Sequence, residues 1–160
     1  MAKKGNKNLI LSIVALVGAL VAGVGLFLDV WTAYLSSESV SENAGSAKLF
    51  AEWGEGAEAV FCGRLFEVLA IVAVVAIIAS VVLTLITKKT SIITTVLNIV
   101  AIAAIAAAIV CACVFFISNH TSETLFGQTI TSGLKGAAGF YMIAVGGVVG
   151  SVCAFLSARD

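Results

Sequence analysis

Four long apolar runs, separated by shorter polar stretches, dominate the pattern of this chain. They cover residues 9–28, 65–86, 92–117 and 137–158. A helix crosses the hydrocarbon core of a bilayer, about 30 Å thick, with roughly 20 residues, and each run is long enough to do so. No run alternates apolar and polar residues over about ten positions, as the strands of a membrane barrel do. The pattern therefore predicts an all-α membrane protein, a bundle of four transmembrane helices.

The composition is typical of a single membrane domain that covers residues 1–160. Hydrophobic residues make up 61% of the chain and charged residues only 11%, and the mean hydropathy is +1.14. An average soluble domain has about 25% charged residues, so the lipid bilayer is the expected surrounding of this chain. Lys3, Lys4 and Lys7 resemble the start of a secretory signal peptide, but the run behind them exceeds the roughly 7–15 apolar residues of such a peptide. We expect the first run to be retained as a helix.

The positive charges are unevenly distributed although the formal net charge is zero. Most lie near the two ends of the chain and between the second and third runs: Lys3, Lys4, Lys7, Lys88, Lys89 and Arg159. Short cytoplasmic segments of membrane proteins are enriched in Lys and Arg, so both termini and the connection at residues 88–89 are predicted to be cytoplasmic. Residues 29–64 and 118–136 then form two outer loops, in a multi-pass protein of the cell membrane.

Small residues recur at four-residue spacing along the predicted helices. Such faces let two helix backbones approach closely in lipid, where packing drives the association of helices. The alternative is that Gly and Ala are simply common in membrane helices. The residues predicted to pack helices together are Ala15, Ala19, Gly23, Ala104, Ala108, Gly146 and Gly150.

Asn98 is the strongly polar residue inside the third run. An amide in a membrane helix usually forms a hydrogen bond with another helix, which stabilises the pair by about 0.6 kcal/mol on average. Asn98 is therefore interpreted as a further helix-packing residue, with a transport site as the alternative.

The first outer loop carries both tryptophans and most of the acidic residues. Two β-capable pieces flank a turn-rich middle at residues 36–46, which favours a small β-hairpin on the membrane surface. A disordered loop held by two interfacial aromatic side chains is the alternative. The glutamates leave the outer surface acidic, where cations or a basic partner would be attracted. The predicted partner-contact residues are Trp31, Tyr34, Glu52, Trp53, Glu55 and Glu58.

Arg64 and Glu67 open the second helix three residues apart, so their side chains are neighbours on one helical face. We expect them to form an ion pair that anchors the first loop to the bundle. Because the second and third helices must be adjacent, a disulfide from Cys62 to Cys113 is a further hypothesis for an oxidising compartment, provided that their Cα atoms lie about 5.5 Å apart. The alternative is that these cysteines are ordinary helix residues.

Several classes of function find no support in the sequence. No charged residue lies in the middle of a run, where proton relays and ion pathways place theirs. No proline interrupts a run, as the broken helices of transport sites would require. No phosphate-binding loop, nucleophile with its base, metal cluster or basic nucleic-acid surface is visible. The sequence predicts a protein that is not an enzyme, holds no cofactor or metal and binds no nucleic acid.

The layout and several motifs resemble the claudin-like superfamily, which includes claudins, peripheral myelin protein relatives and calcium-channel gamma subunits. Trp31 and Tyr34, followed by Trp53 after a polar stretch, look like the two-tryptophan first loop of that family. Arg64 matches the family's arginine at the outer start of the second helix. The Phe-Gly-Gln segment at residues 126–128 is similar to the segment that enters the family's fourth helix.

Two features depart from the family pattern. Ala51 and Glu52 precede the second tryptophan where the family has Gly-Leu, and Cys62 stands alone where the family has a disulfide-forming pair. The resemblance implies a non-enzymatic protein that acts through its outer loops and lateral assembly, or an accessory subunit of a larger membrane complex. Its partners would be other copies of itself or another membrane protein.

The alternative function is a small oligomeric channel or transporter, in which the acidic first loop forms a vestibule that attracts cations. Its polar lining would have to come from the side chains of Ser80, Thr84, Thr94 and Asn98.

Overall fold

The computed structural model describes residues 2–37, 41–50, 60–87 and 91–159. The elements in chain order are α1 (Ala2–Gly25), β1 (Trp31–Ser36), β2 (Ser41–Ala47), α2 (Val60–Thr87), α3 (Ile92–Ser118), β3 (Thr121–Leu125), β4 (Gln128–Gly136) and α4 (Ala138–Arg159). All four of these helices are long and apolar enough to cross a membrane. The predicted four-helix membrane architecture is confirmed to that extent, and a small sheet accompanies it.

The helices extend beyond the apolar runs that predicted them. α1 begins at Ala2, before the first run, and α2 begins at Val60, inside the stretch assigned to the first outer loop. An α-helix need not end where the chain leaves the hydrocarbon, because its backbone hydrogen bonds are internal to the helix. α3 begins behind Ser91, whose hydroxyl accepts a hydrogen bond from the backbone amide of Thr94 at 3.2 Å and so caps the helix.

The helices pack as two antiparallel pairs, α1 with α4 and α2 with α3. The second pair was predicted from the short connection between its helices, although Lys88 and Lys89 within that connection lie outside the described residues. The first pair brings the two ends of the chain together: the hydroxyl of Ser157 donates a hydrogen bond to the carbonyl oxygen of Asn8 at 3.4 Å. The start of α1 and the end of α4 therefore lie at the end of the bundle opposite the sheet.

Small residues bring the backbones of α1 and α4 into contact. A Cβ atom placed on Gly18 would lie 2.8 Å from the carbonyl oxygen of Gly146, and one on Gly146 would lie 2.5 Å from the carbonyl oxygen of Gly18. Ala15 and Ala19 are fully buried on the same face of α1, and Gly150 lies opposite them. A side chain at either of the first two glycines would push against backbone rather than against another side chain.

Gly23 does not belong to this contact, contrary to the prediction. A Cβ atom on Gly23 would meet nothing within 4 Å, whereas one on Gly25 would lie 2.8 Å from the carbonyl oxygen of Gly139. The reason is the helical period: at 3.6 residues per turn a strict four-residue repeat drifts off the contact face, while alternating steps of three and four follow it. The face of α1 that meets α4 therefore continues through the fully buried Ala22.

Asn98 joins three helices in the half of the bundle that lies away from the sheet. Its side chain is fully buried, its Oδ1 atom accepts a hydrogen bond from the hydroxyl of Ser80 on α2, and its Nδ2 atom donates to the carbonyl oxygen of Ala154 on α4 at 3.4 Å. Ala104 and Ala108, further along α3, are also buried. These three residues of α3 thus lie at helix contacts, as predicted.

The strands form one antiparallel sheet in the order β2-β1-β4-β3. Its central pairing joins residues 31–36 of β1 to residues 131–136 of β4, so the segment after α1 and the segment after α3 build a common sheet. Neither this pairing nor the strands β3 and β4 were predicted. The hairpin predicted in the first loop is present, but its second strand, Ser41–Ala47, falls in the tract expected to form turns. Cross-strand hydrogen bonding here outweighs a sequence that is poor in strand-forming residues.

Candidate functional site

Trp31, the first residue of β1, fixes the sheet to the helix bundle. Its side chain is 1% exposed, and its indole packs edge-on against the rings of Phe66, Phe115 and Phe116 at centroid distances of 5.1, 5.1 and 5.4 Å. Phe140 completes this aromatic cluster at 6.1 Å from the indole. The four phenylalanines belong to α2, α3 and α4, so a single side chain connects the sheet to three helices.

The burial of Trp31 corrects a prediction from the sequence. The pattern predicts a partner-contact residue at the membrane surface, but the side chain lies in the core. An aromatic residue between an apolar run and a polar loop can lie at the membrane surface or in the core. Trp31 is buried because it is part of the sheet that packs on the helices. The other predicted contact residues of this loop, Glu52, Trp53, Glu55 and Glu58, lie outside the described residues. Residues able to contact a partner must therefore be sought elsewhere on the sheet.

Backbone hydrogen bonds tie the residues just before β1 to the end of β2 and to the start of α4. The amide of Val30 donates to the carbonyl oxygen of Ala47 at 2.8 Å, and the carbonyl oxygen of Val30 accepts from the amide of Ala137 at 2.8 Å. The amide of Gly139 donates to the carbonyl oxygen of Asp29 at 2.9 Å. Since α4 also packs on α1, the sheet is attached to the bundle along its backbone as well as through the aromatic cluster.

Arg64 and Glu67 form the ion pair that the sequence predicts, near the sheet end of α2. The Nη1 atom of Arg64 donates to the Oε2 atom of Glu67 at 3.0 Å. The carboxylate is fully buried and its Oε1 atom has no hydrogen-bond partner among the described residues, whereas the arginine side chain is 35% exposed. A buried carboxylate is destabilising without its counter-ion, so loss of this pair is expected to destabilise the fold at this end of the bundle.

The four cysteines are free, and the predicted bridge from Cys62 to Cys113 is not present. Cys62 and Cys111 both pack against the buried core that contains Trp31, whereas Cys113 is exposed. Two residues that are two positions apart on a helix point about 200° apart, so only one of them can face a given neighbour. On α3 that residue is Cys111.

The turn between β3 and β4 presents an aromatic side chain to the surroundings. All residues of the edge strand β3 are exposed. Leu125 at its end is 50% exposed, and Phe126, the next residue, is fully exposed. An exposed edge strand has backbone donors and acceptors available to a partner. The open edge of β3 and the apolar turn are therefore both accessible to a partner.

The backbone of this turn is unfavourable for a phenylalanine. Phe126 has a φ of 51° and Gly127 a φ of 78°. Two successive positive φ angles are typical of a two-residue type I′ hairpin turn, whose first position favours Asn, Asp or Gly. A bulky residue in this region is strained by about 1–2 kcal/mol. Phe126 thus supplies neither burial nor a suitable turn conformation to the folded chain. The sequence pattern indicates a turn at residues 126–128, but it does not mark the phenylalanine as a candidate contact residue.

Tyr34, the remaining predicted contact residue of the first loop, lies half-buried on β1 beside β4. The Nζ atom of Lys135 lies 5.8 Å from the centroid of its ring, a cation–π distance. Tyr34 pairs in the sheet with Gly133, and a Cβ atom on this glycine would lie 3.2 Å from the tyrosine hydroxyl. The absence of a side chain at residue 133 therefore leaves room for the tyrosine to extend across β4.

The side chains considered for a pore lining form hydrogen bonds within the chain. The hydroxyl of Ser80 donates to Asn98, and the hydroxyl of Thr84 donates to the carbonyl oxygen of Ser80 at 2.8 Å. Thr94 is fully buried, with its hydroxyl 3.0 Å from that of Ser91. These polar groups connect helices or cap them.

Within the described parts of the chain, no group of three His, Cys, Asp or Glu side chains could hold a metal ion. Comparison of the chain with protein-family models, with curated proteins and with solved structures gives no match.

Proposed function

We propose that this chain is a non-enzymatic integral membrane protein that acts by protein–protein contact, with its sheet facing out of the cell. The partners are other copies of the chain or another membrane protein, so the chain works by lateral assembly or as an accessory subunit. The observation that carries the proposal is Phe126, an aromatic residue that is fully exposed and held in a strained backbone conformation.

Strain at an exposed side chain is informative because the folded monomer gains nothing from it. Strained residues persist where the surrounding structure enforces them, and they cluster at binding and switch regions. Aromatic side chains are also enriched in the buried centres of protein interfaces. Phe126 stands at the tip of a hairpin that belongs to a sheet anchored on three helices, so a contact made there is transmitted to a fixed support.

The outward orientation and a relationship to the claudin-like superfamily belong to the same proposal. The orientation is supported by the distribution of Lys and Arg along the sequence. The relationship is supported by the matching positions of Trp31, Arg64 and residues 126–128. It is also supported by the order of the two tryptophans, which both precede Arg64 as in that family. In this proposal the hairpin tip of the second outer loop is the principal contact.

The substitution Phe126→Asn tests the proposal because it separates folding from assembly. Asn followed by Gly suits a type I′ turn, so the variant is expected to unfold with a free energy equal to or above that of the natural chain, by up to about 1 kcal/mol. The same substitution removes the exposed aromatic ring. The measurement is the assembly mass of the full chain in mild detergent, with mass spectrometry of any protein bound at fixed stoichiometry.

We expect the natural chain to be recovered as a defined assembly that Phe126→Asn weakens at least tenfold. Ser122→Ala, which alters another exposed side chain of the same hairpin, is the matched control and is expected to keep the assembly. A monomeric natural chain without a bound protein, or an assembly that survives Phe126→Asn, would overturn the proposal. Cation flux through reconstituted vesicles would then be measured, since it is the outcome expected of a channel.

A further inference from the structure

A pocket of about 510 Å³ opens beside the sheet, where β1 and β4 meet the ends of α3 and α4. Its volume lies within the range of about 300–1,000 Å³ that is usual for small-molecule sites. The side chains that define its chemistry are those of Tyr34, Phe116, Ile117, His120, Lys135 and Tyr141. They come from four different elements or their ends, so the pocket is a product of the tertiary fold.

One side of the pocket is polar and positively charged. Lys135 contributes an ammonium group, and His120 and Tyr34 contribute an imidazole and a phenol hydroxyl. The lysine is exposed, and in the described part of the chain no carboxylate forms a salt bridge with it. An ammonium group next to two further hydrogen-bonding side chains is suited to an anionic oxygen group such as a phosphate.

The other side of the pocket is apolar and continues onto the membrane-spanning helices. Phe116 and Ile117 lie in the last turn of α3, and Tyr141 lies in the first turn of α4. Ile117 is 75% exposed and Tyr141 is 58% exposed. Exposed apolar side chains at the ends of transmembrane helices face lipid, so this side of the pocket opens toward the bilayer.

We propose that the pocket binds an anionic phospholipid. Its phosphate lies against Lys135, His120 and the hydroxyl of Tyr34, and its acyl chains leave past Ile117 and Tyr141 into the bilayer. A soluble anion would use only the charged side, whereas a phospholipid uses both. An ammonium group forms charge-assisted hydrogen bonds with a lipid phosphate, and a neighbouring aromatic ring is typical of the membrane interface. This inference depends on the membrane-spanning helices and the pocket, and not on assembly through the sheet.

The test is native mass spectrometry of the full chain released from micelles, with two lipids that share the same acyl chains. Phosphatidylglycerol, which is anionic, is expected to bind at least fivefold more tightly than phosphatidylcholine, which is zwitterionic. Lys135→Gln is expected to weaken the binding of phosphatidylglycerol roughly fivefold. Lys48→Gln, which removes an exposed charge next to β2 but outside the pocket, is expected to change it less than twofold.

Two further measurements separate a lipid pocket from general charge attraction. Ile117→Trp places bulk at the apolar mouth without changing the charge, and it is expected to weaken the binding of both lipids. Glycerol 3-phosphate carries the phosphate without acyl chains and is expected not to displace bound phosphatidylglycerol. Equal binding of the two lipids, equal losses from Lys135→Gln and Lys48→Gln, or displacement by glycerol 3-phosphate would each overturn the proposal.

Discussion

The contact between α1 and α4 makes a sharp prediction about a single methyl group. Gly146→Ala adds a Cβ atom that would lie 2.5 Å from the carbonyl oxygen of Gly18 and 2.7 Å from the amide nitrogen of Ala22. Ordinary van der Waals contact begins at 3.4 Å, so the methyl group is about 0.9 Å too close to the nearer atom. Both atoms belong to the backbone of α1 and cannot rotate away. The two helices must therefore separate.

The size of the effect follows from two terms. Adding a methylene-sized group to a well-packed contact costs about 1–3 kcal/mol. Replacing glycine by alanine inside a helix returns up to about 1 kcal/mol through helix propensity. Gly23→Ala on α1 gains the helix-propensity term without the steric cost, because a Cβ atom there would meet nothing within 4 Å. Comparing the two variants cancels the propensity term, and Gly146→Ala is expected to be less stable than Gly23→Ala by about 1–3 kcal/mol.

The measurement is equilibrium unfolding of the full chain in micelles of a mild detergent with increasing dodecyl sulfate. Tryptophan fluorescence is a suitable signal, since Trp31 lies in the aromatic cluster of the folded chain. Gly18→Ala, which adds a Cβ atom 2.8 Å from the Gly146 carbonyl oxygen on the other side of the same contact, should lose a similar amount. If Gly146→Ala and Gly23→Ala unfold with the same free energy, the close packing of α1 on α4 is refuted.

Two further predictions use the same unfolding measurement. Arg64→Met is expected to destabilise the chain by about 1–3 kcal/mol, less than the roughly 3–5 kcal/mol for a fully buried pair, because the arginine is 35% exposed. Adding Glu67→Gln should recover part of that loss, and an unchanged stability of Arg64→Met would show that the carboxylate does not need this counter-ion. Asn98→Leu is expected to lose about 1–2 kcal/mol with its two interhelical hydrogen bonds. Thr95→Val, on an exposed face of the same helix, should lose less than 0.5 kcal/mol, and equal losses would contradict the packing role.

The sequence alone determined the four helices that are long and apolar enough to cross a membrane, because each contains an apolar run of roughly 20 residues or more. It also determined the adjacency of α2 and α3, since a short connection leaves no other arrangement. The ion pair between Arg64 and Glu67 could be predicted because residues three apart on a helix are neighbours. Each of these features depends on local spacing or on the solvent that a segment requires.

Only the tertiary structure decided that α1 packs on α4 and which faces of these helices meet. The small residues of α1 and α4 mark faces capable of close packing, but many helices share such faces. The choice of Gly18 over Gly23 depends on the exact angle at which α1 meets α4. The choice of Cys111 over Cys113 depends in the same way on the direction in which each residue points from α3.

The four-stranded sheet is the largest feature that could not be predicted from the local sequence pattern. β1 and β4 are about a hundred residues apart in the chain, and their pairing satisfies backbone groups that neither segment could satisfy alone. That pairing places Trp31 over the bundle, attaches the β3–β4 hairpin to β1 and brings Tyr34 beside Lys135 in the pocket. The sequence thus determined which segments are long and apolar enough to cross a membrane. The pocket, and the attachment of the β3–β4 hairpin to the bundle, arise only when distant segments meet, because hydrogen bonding between strands is a property of pairs and not of single segments.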